Sequence, residues 1–173
     1  AYFGDEQADD ANSMLYYLQR AFPETPALRV QFKRYDGDKA EQLATGTDLV
    51  VVTKSLTAAQ KTLVKKHIDE QGTALVVLTN PAQLDSLASL IGSPTPIDRD
   101  PTVEKAQYSL LADINFSHPL IAPLSNPRYN DFTKIHFWNH VTVRLPNTPE
   151  SQVIASFDNE TPAIWQVKRD QGR

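Results

Sequence analysis

The 173-residue chain contains no cysteine. This absence excludes disulfide bonds, zinc sites with thiolate ligands and cysteine nucleophiles. No apolar run approaches the ~20 residues of a membrane-spanning helix, and no series of charged, apolar and small residues indicates a signal peptide. Lys and Arg number 17 against 21 Asp and Glu, giving a net charge of −4, so the clustered positive charge that binds nucleic acid is missing. What remains is an ordinary globular composition, long enough for one domain.

Several motifs of known chemistry are also absent. The sequence has no G-x-G-x-x-G or P-loop for nucleotides and no G-x-S-x-G elbow for a serine nucleophile. The segment DSLAS, residues 85–89, misses the D-x-S-x-S ion motif because Leu87 stands at its middle position. Dinucleotide and triphosphate binding through the usual fingerprints are therefore excluded.

The first half alternates between strand and helix patterns. Strands are predicted at residues 1–3, 28–35, 48–52 and 74–78, and the last two are continuous apolar runs of the kind buried on both faces of a parallel sheet. Helices are predicted over residues 12–22, 57–71 and 81–91. Their expected N-caps are Asp10 or Asn12, the capping box of Thr57 and Gln60, and Asn80, and the expected stops after the last two are Gly72 and Gly92. This order predicts an α/β fold with a mostly parallel sheet.

The second half of the sequence has a different pattern of residues. Residues 112–131 carry three prolines and no clear period, and they predict an ordered excursion packed on the core by Phe116, Leu120, Ile121 and Leu124. Residues 152–157 and 163–168, with the turn DNETP between them, predict a hairpin. A weaker alternation over 103–111 is compatible with another strand. From 134 to 145 apolar and polar residues alternate with period two, which predicts a strand.

Three histidines form a candidate polar cluster: His118, His136 and His140. On a strand rising roughly 3.3 Å per residue, His136 and His140 lie ~13 Å apart, too far to share one metal ion. His118 can approach one of them only through folding. The favoured interpretation is that the histidines and Trp138 cover a neighbouring loop and hydrogen-bond to it.

A candidate ligand crevice lies where the parallel strands end, because ligands of open α/β sheets bind outside the carboxyl ends of the strands. The acids of the loop after the first strand can hold a hard cation, or they can simply favour the positive end of the following helix. No metal site is assigned, and the crevice is a location for a ligand without an identity. Its predicted residues are Asp5, Glu6, Asp9, Asp10, Lys54, Ser55 and Asn80.

The stretch DLVVVTKSLTAAQKTLVKKHIDEQGTALVVL, residues 48–78, resembles the core of class I glutamine amidotransferase-like domains. With YFGDEQADDANSMLYYLQRAF, INFSHPLIAPL and NDFTKIHFWNH, it is more specifically similar to the extracytoplasmic region of BatA-type bacterial membrane proteins, related to aerotolerance regulators. The resemblance implies a flavodoxin-like, three-layer α/β/α fold with a mostly parallel sheet, followed by a C-terminal β-rich excursion and a hairpin.

The resemblance also implies a site that this chain lacks. Active amidotransferases carry a cysteine on a strand-to-helix turn that here falls near Thr79 and Asn80, and its His and Glu partners follow a strand that would lie beyond residue 173. Glutamine hydrolysis through a thiolate is therefore excluded, and we expect a non-enzymatic module without a cofactor.

We expect residues 1–173 to be a single amidotransferase-like domain. The abrupt start, AYFGDE, and the end, RDQGR, predict that it is a fragment of a larger membrane-anchored protein of the bacterial cell envelope, with the domain in the periplasm. The expected partners are other domains of the same or neighbouring membrane proteins, with neither nucleic acid nor direct insertion into the membrane. The alternative is a metal-dependent or carbohydrate-related enzyme or binding domain similar to trehalose-utilisation proteins.

Overall fold

A computed structural model describes residues 1–22, 25–26, 29–35, 42–92, 108–128, 130–145 and 148–169. Its described residues fall into two compact units, the first within Ala1–Leu90 and the second within Ile91–Arg169. The fold is mixed α/β, with a parallel sheet in the first unit and an antiparallel sheet in the second. The α/β character predicted from the sequence is therefore confirmed.

The first unit is built on three parallel strands, β1 (Tyr2–Phe3), β2 (Leu49–Val52) and β3 (Thr73–Val76), in the order β1-β2-β3. On the other side of β1, Arg34 forms a parallel bridge with Tyr2. The predicted strand over 28–35 is thus reduced to one bridge, because β1 offers only two residues for pairing. Leu28 lies outside the described residues.

Three helices follow the strands: α1 (Met14–Ala21), α2 (Ala58–Asp69) and α3 (Leu84–Ile91). The Thr57–Gln60 capping box of α2 is confirmed. The predicted cap of α1 is wrong, since the hydroxyl of Ser13 accepts the bond from the Tyr16 amide. Beyond α2 the left-handed conformation falls on Gln71, with φ of 72°, and not on Gly72.

Side chains of β2 are buried on both faces, as predicted. Val50 and Val52 pack with Val64 of α2 and Leu90 of α3. Val51 points to the other face and packs with Tyr2 and with Leu15 and Leu18 of α1. Helices therefore cover both faces of β2.

The predicted burial of β3 on both faces is wrong. Thr73 and Leu75 are exposed, and Leu75 has 40% of its surface in contact with solvent. These two residues share the face of Val51, where the cluster around α1 contains residues of β1 and β2 and none of β3. One face of β3 is therefore left uncovered.

The second unit contains an antiparallel sheet of β4 (Leu111–Ile114), β5 (Ser151–Phe157) and β6 (Pro162–Val167), in that order. The predicted hairpin corresponds to β5 and β6 and is confirmed. Of the predicted strand over 103–111, residues 103–107 lie outside the described part of the chain. Among the apolar residues of the excursion Ile121 is buried, whereas Leu120 and Leu124 are 62% and 39% exposed.

The predicted strand over 134–145 is wrong. A 3-10 turn at Phe132–Lys134 covers its start, where Asp131 accepts a hydrogen bond from Thr133 and pairs with Lys134 at 3.0 Å. Only Phe137 pairs as in a sheet, with Ser109. Ile135 is 47% exposed, while Val143 is fully buried.

Candidate functional site

Polar side chains converge at the carboxyl ends of β1 and β2. The hydroxyl of Thr53 donates to Oε2 of Glu6 at 2.8 Å, and the Tyr2 hydroxyl lies 3.2 Å from the same Thr53 oxygen. Because the carboxylate takes the one proton that Thr53 has to donate, Tyr2 must be the donor to Thr53. A hydrogen-bond chain therefore runs from Tyr2 through Thr53 to Glu6.

The Tyr2 phenol is held in its neutral form. Burial, reinforced by the carboxylate of Glu6, raises the pKa of Tyr2 to about 12. A phenol with this pKa donates a hydrogen bond at neutral pH and does not act as a base.

Gly4 leaves room for the side chain of Glu6 to reach the Thr53 hydroxyl. A Cβ at this position would overlap Oε2 of Glu6, the Thr53 hydroxyl and the ring of Tyr2. The backbone here passes so close to the hydrogen-bond chain that only glycine fits.

A salt bridge between Lys54 and Asp5 lies beside this hydrogen-bond chain. Lys54 donates to Oδ1 of Asp5 at 2.7 Å, with the lysine side chain 18% exposed and that of Asp5 76% exposed. The structure therefore brings three of the predicted crevice residues, Asp5, Glu6 and Lys54, to the edge where β1 and β2 end.

The other predicted crevice residues have different environments. Asp10 accepts from the backbone and side-chain nitrogens of Asn12 at 2.9 and 3.1 Å, in the turn before α1. Asp9 and Ser55 are exposed. Within the described ranges, no three His, Cys, Asp or Glu side chains lie close enough to hold a metal ion. The four acids of the first loop do not form one ligand set.

The turn after β3 is organised by a buried glutamine that the sequence analysis did not single out. Oε1 of Gln83 accepts from the backbone amides of Thr79 and Asn80 at 2.7 and 2.8 Å, and its Nε2 donates to the carbonyl of Val77 at 3.1 Å. Asn80 caps the following turn by accepting from the Ala82 amide. The signal was present as a capping box, Asn80 with Gln83 three residues later.

The three histidines contact three different partners, all within the second unit. Nδ1 of His118 accepts from the Leu120 amide at 3.2 Å. His136 stacks on Tyr108 with ring centroids 4.0 Å apart. His140 lies against Phe157 at 4.2 Å, and both of its ring nitrogens are buried without a hydrogen-bond partner among the described residues. His118 therefore bonds within its own turn, two residues away, and His140 has no partner among the described residues, so neither makes the expected hydrogen bond to a neighbouring loop.

Around His136 the second unit presents an exposed aromatic surface, defined by Tyr108, His136 and Trp138. Trp138 meets Tyr108 edge-on at 5.2 Å, and the two side chains are 58% and 43% exposed. The surface is held from beneath by two backbone hydrogen bonds of 3.0 Å between Ser109 and Phe137. The sequence pointed to His136 and Trp138, but not to Tyr108, which is 28 residues away along the chain.

The first unit also contains a pocket of about 380 Å³ between the loop at residues 42–47 and the last turns of α2. Lys66, His67 and Glu70 line it from the helix. Lys66 and Glu70 stand 3.8 Å apart as an exposed ion pair. The loop carried no sequence signal for a pocket.

Among the described residues, no helix is long and apolar enough to cross a membrane. No protein-family model matches the chain, and no curated protein and no solved structure gives a significant match to it. The inference of function therefore depends on the geometry of the chain itself.

Proposed function

We propose that the chain is a non-catalytic, amidotransferase-like interaction module of a membrane-anchored protein of the bacterial envelope. The proposal includes a flavodoxin-like, three-layer arrangement around the parallel sheet. The order of the segments across the sheet supports it. Arg34, which comes second along the chain, lies beside β1, and β2 and β3 follow on the other side of β1. A flavodoxin-like sheet has the same order, 2-1-3-4.

The chemistry of the turn after β3 supports a module without catalysis. Thr79 and Asn80 occupy the place where the amidotransferase resemblance expects a cysteine. Their amides are bound to the side chain of Gln83, and the Asn80 side chain caps the turn. Neither residue offers an activated nucleophile to a substrate.

The exposed aromatic surface is the observation that carries the proposal. Tyr and Trp are enriched at protein interfaces, where they supply large contact areas at low entropic cost. Here Tyr108 and Trp138 remain largely exposed although a fixed backbone pair holds them in place. We assign this surface to a protein partner, namely another domain of the same or of a neighbouring membrane protein on the periplasmic side.

Photo-crosslinking in cells tests the proposal. A benzophenone amino acid at position 138 is expected to give a discrete crosslinked product that contains a protein of the membrane fraction. The same amino acid at position 17 is the matched control, because Tyr17 is 59% exposed and Trp138 58%. We expect no such product from position 17.

Two further variants sharpen this test. Tyr108→Ser and His136→Ser each remove one ring of the surface, and either is expected to weaken the product from position 138 at least severalfold. Equal products from positions 138 and 17, or none from either, would contradict the assignment of this surface to a partner.

A further inference from the structure

His140 combines burial with unsatisfied chemistry. A neutral imidazole has one hydrogen-bond donor and one acceptor, and in His140 both nitrogens are buried without a partner among the described residues. Each such group forgoes the hydrogen bond that water would give it, which is unfavourable. The ring is held by its contact with Phe157.

The same aromatic contacts support the exposed surface. Phe157, at the end of β5, also meets Phe137 with ring centroids 5.3 Å apart. Phe137 is the residue whose backbone pairs with Ser109 and thereby fixes Tyr108, His136 and Trp138. His140 and the aromatic surface therefore share one support.

Among the described residues, Asp158 in the turn after β5 is the charged group that acts on His140. Asp158 follows Phe157, and its amide donates to the carbonyl of Leu110 at 2.9 Å. Burial lowers the pKa of His140, and attraction to Asp158 opposes this effect without overcoming it. The folded second unit therefore binds a proton at His140 less readily than an opened form does.

We propose that His140 is a pH-sensitive switch: a proton on its ring drives the segment around it off Phe157 and opens the Ser109–Phe137 pair that holds the aromatic surface. A charged imidazolium has two N–H donors, and neither ring nitrogen of His140 has a hydrogen-bond acceptor among the described residues. The switch belongs to the chain alone and acts whether or not a partner binds.

The direction with pH follows from linkage. Because the pKa of His140 is lowered on folding, the neutral ring is accommodated above pH ~6.5, the ordinary value for histidine. Below that value the open form gains a proton first, and the opening equilibrium rises by up to about tenfold per pH unit until the lowered pKa is passed. Acidification therefore loosens the surface.

Amide hydrogen exchange measured by NMR on the intact chain tests the switch. The protection factors of the Ser109 and Phe137 amides are compared at pH 7.5 and 5.5, which removes the intrinsic dependence of exchange on pH. In the wild type we expect both factors to fall severalfold, by up to about tenfold. His140→Leu should abolish the fall, whereas His136→Gln, which removes the other histidine of this segment, should retain it.

The opposite results are equally clear. Equal protection factors at the two pH values in the wild type would overturn the switch, and so would a fall that persists in His140→Leu. If that variant does not fold, titration of the His140 ring in the wild type decides the matter, since its midpoint must lie below ~6.5 and the loss of protection must level off near that midpoint. The crosslinking result is independent, because exchange is measured without a partner.

Discussion

Tyr2 has two roles that depend on opposite ends of its side chain. Its ring is fully buried and packs with Leu15, Leu18 and Val51, while its hydroxyl begins the hydrogen-bond chain through Thr53 to Glu6. The phenol therefore joins the core under α1 to the polar edge of the sheet. A change in its protonation should affect the stability of the fold.

Alkaline pH is expected to destabilise the wild type through Tyr2. The pKa of Tyr2 is raised from 10.0 to about 12 on folding, so its contribution to stability is fully present below pH 10 and is lost as the pH rises towards 12. The free energy of unfolding should fall there by at most about 1.4 kcal/mol per pH unit from this group. Urea denaturation at a series of pH values from 8 to 11.5 measures the slope.

Tyr2→Phe is the comparison for this slope. It keeps the buried ring and leaves Thr53 bound to Glu6, so it should fold and lack the part of the pH dependence that Tyr2 causes. Other tyrosines and lysines contribute equally to both proteins. Identical slopes in the two would show that the phenol of Tyr2 does not titrate as its burial requires.

At the scale of single residues, the sequence predicted where polar side chains lie better than which groups they contact. Asp5, Glu6 and Lys54 were expected at the ends of the first parallel strands, and they do lie there. The sequence could not show that Asp9 and Asp10 lie apart from these residues. Asp10 forms a turn with Asn12, and this turn depends on backbone angles that the spacing of the four acids does not determine. Thr53 was missed, since its role depends on Glu6, 47 residues away.

Among the elements, the turn from β3 into α3 depends on one side chain. Gln83→Leu preserves most of the volume but leaves the amides of Thr79 and Asn80 and the Val77 carbonyl without their side-chain partner. We expect a loss of about 2–4 kcal/mol in the free energy of unfolding, because buried polar groups lose their hydrogen bonds. Chemical denaturation followed by circular dichroism provides the measurement.

Asn80→Ala is the matched variant for Gln83→Leu. It removes the side-chain cap of the turn, which includes the exposed hydrogen bond from the Ala82 amide, and should cost about 1 kcal/mol. A loss for Gln83→Leu no larger than that for Asn80→Ala would mean that Gln83 does not organise the turn.

Helices with caps were predictable because their signals are local. Thr57 with Gln60 and Asn80 before Pro81 mark helix starts within four residues of sequence. The strand over 134–145 failed for the opposite reason: alternation reports which side chains share a face, whereas a strand also needs a neighbour to pair with. Among the described residues only Ser109 supplies one, and the turn held by Asp131 removes the start.

For the molecule as a whole, the change in residue pattern between the two halves of the sequence corresponds to the two sheets. Continuous β-branched runs such as residues 49–52 became parallel strands, and the alternating segments around DNETP became an antiparallel hairpin. The exposed face of β3 was not predictable, because it depends on which helices cover which strands. The single-domain organisation and the membrane-anchored parent stay predictions.

Ligand binding at the polar edge is tested at this scale by thermal melts after chelation, with zinc, manganese, magnesium, calcium or small sugars added. We expect no shift in the midpoint with any of the cations, because Asp5 and Glu6 are already bound to Lys54 and Thr53. A ligand at a hundredfold excess over its Kd would add ~2.7 kcal/mol and raise the midpoint by about 5–10 °C.

Variants show where any shift would originate. A rise with one cation that disappears in Asp5→Ala but persists in Asp9→Ala would place a site at the edge of β1 and β2 and contradict the expectation. A rise with a sugar that disappears in Trp138→Ala would favour the carbohydrate-related alternative at the aromatic surface.

The backbone pair between Ser109 and Phe137 holds the aromatic surface in place, whereas the side chains at positions 108, 136 and 138 determine what the surface can bind. Its two hydrogen bonds use main-chain atoms only, so they impose no side-chain identity at positions 108, 136 or 138. Substitutions there can alter recognition while the supporting pair persists. Evolution, or a designer with a combinatorial library at these three positions, can therefore exchange one binding preference for another on an unchanged scaffold.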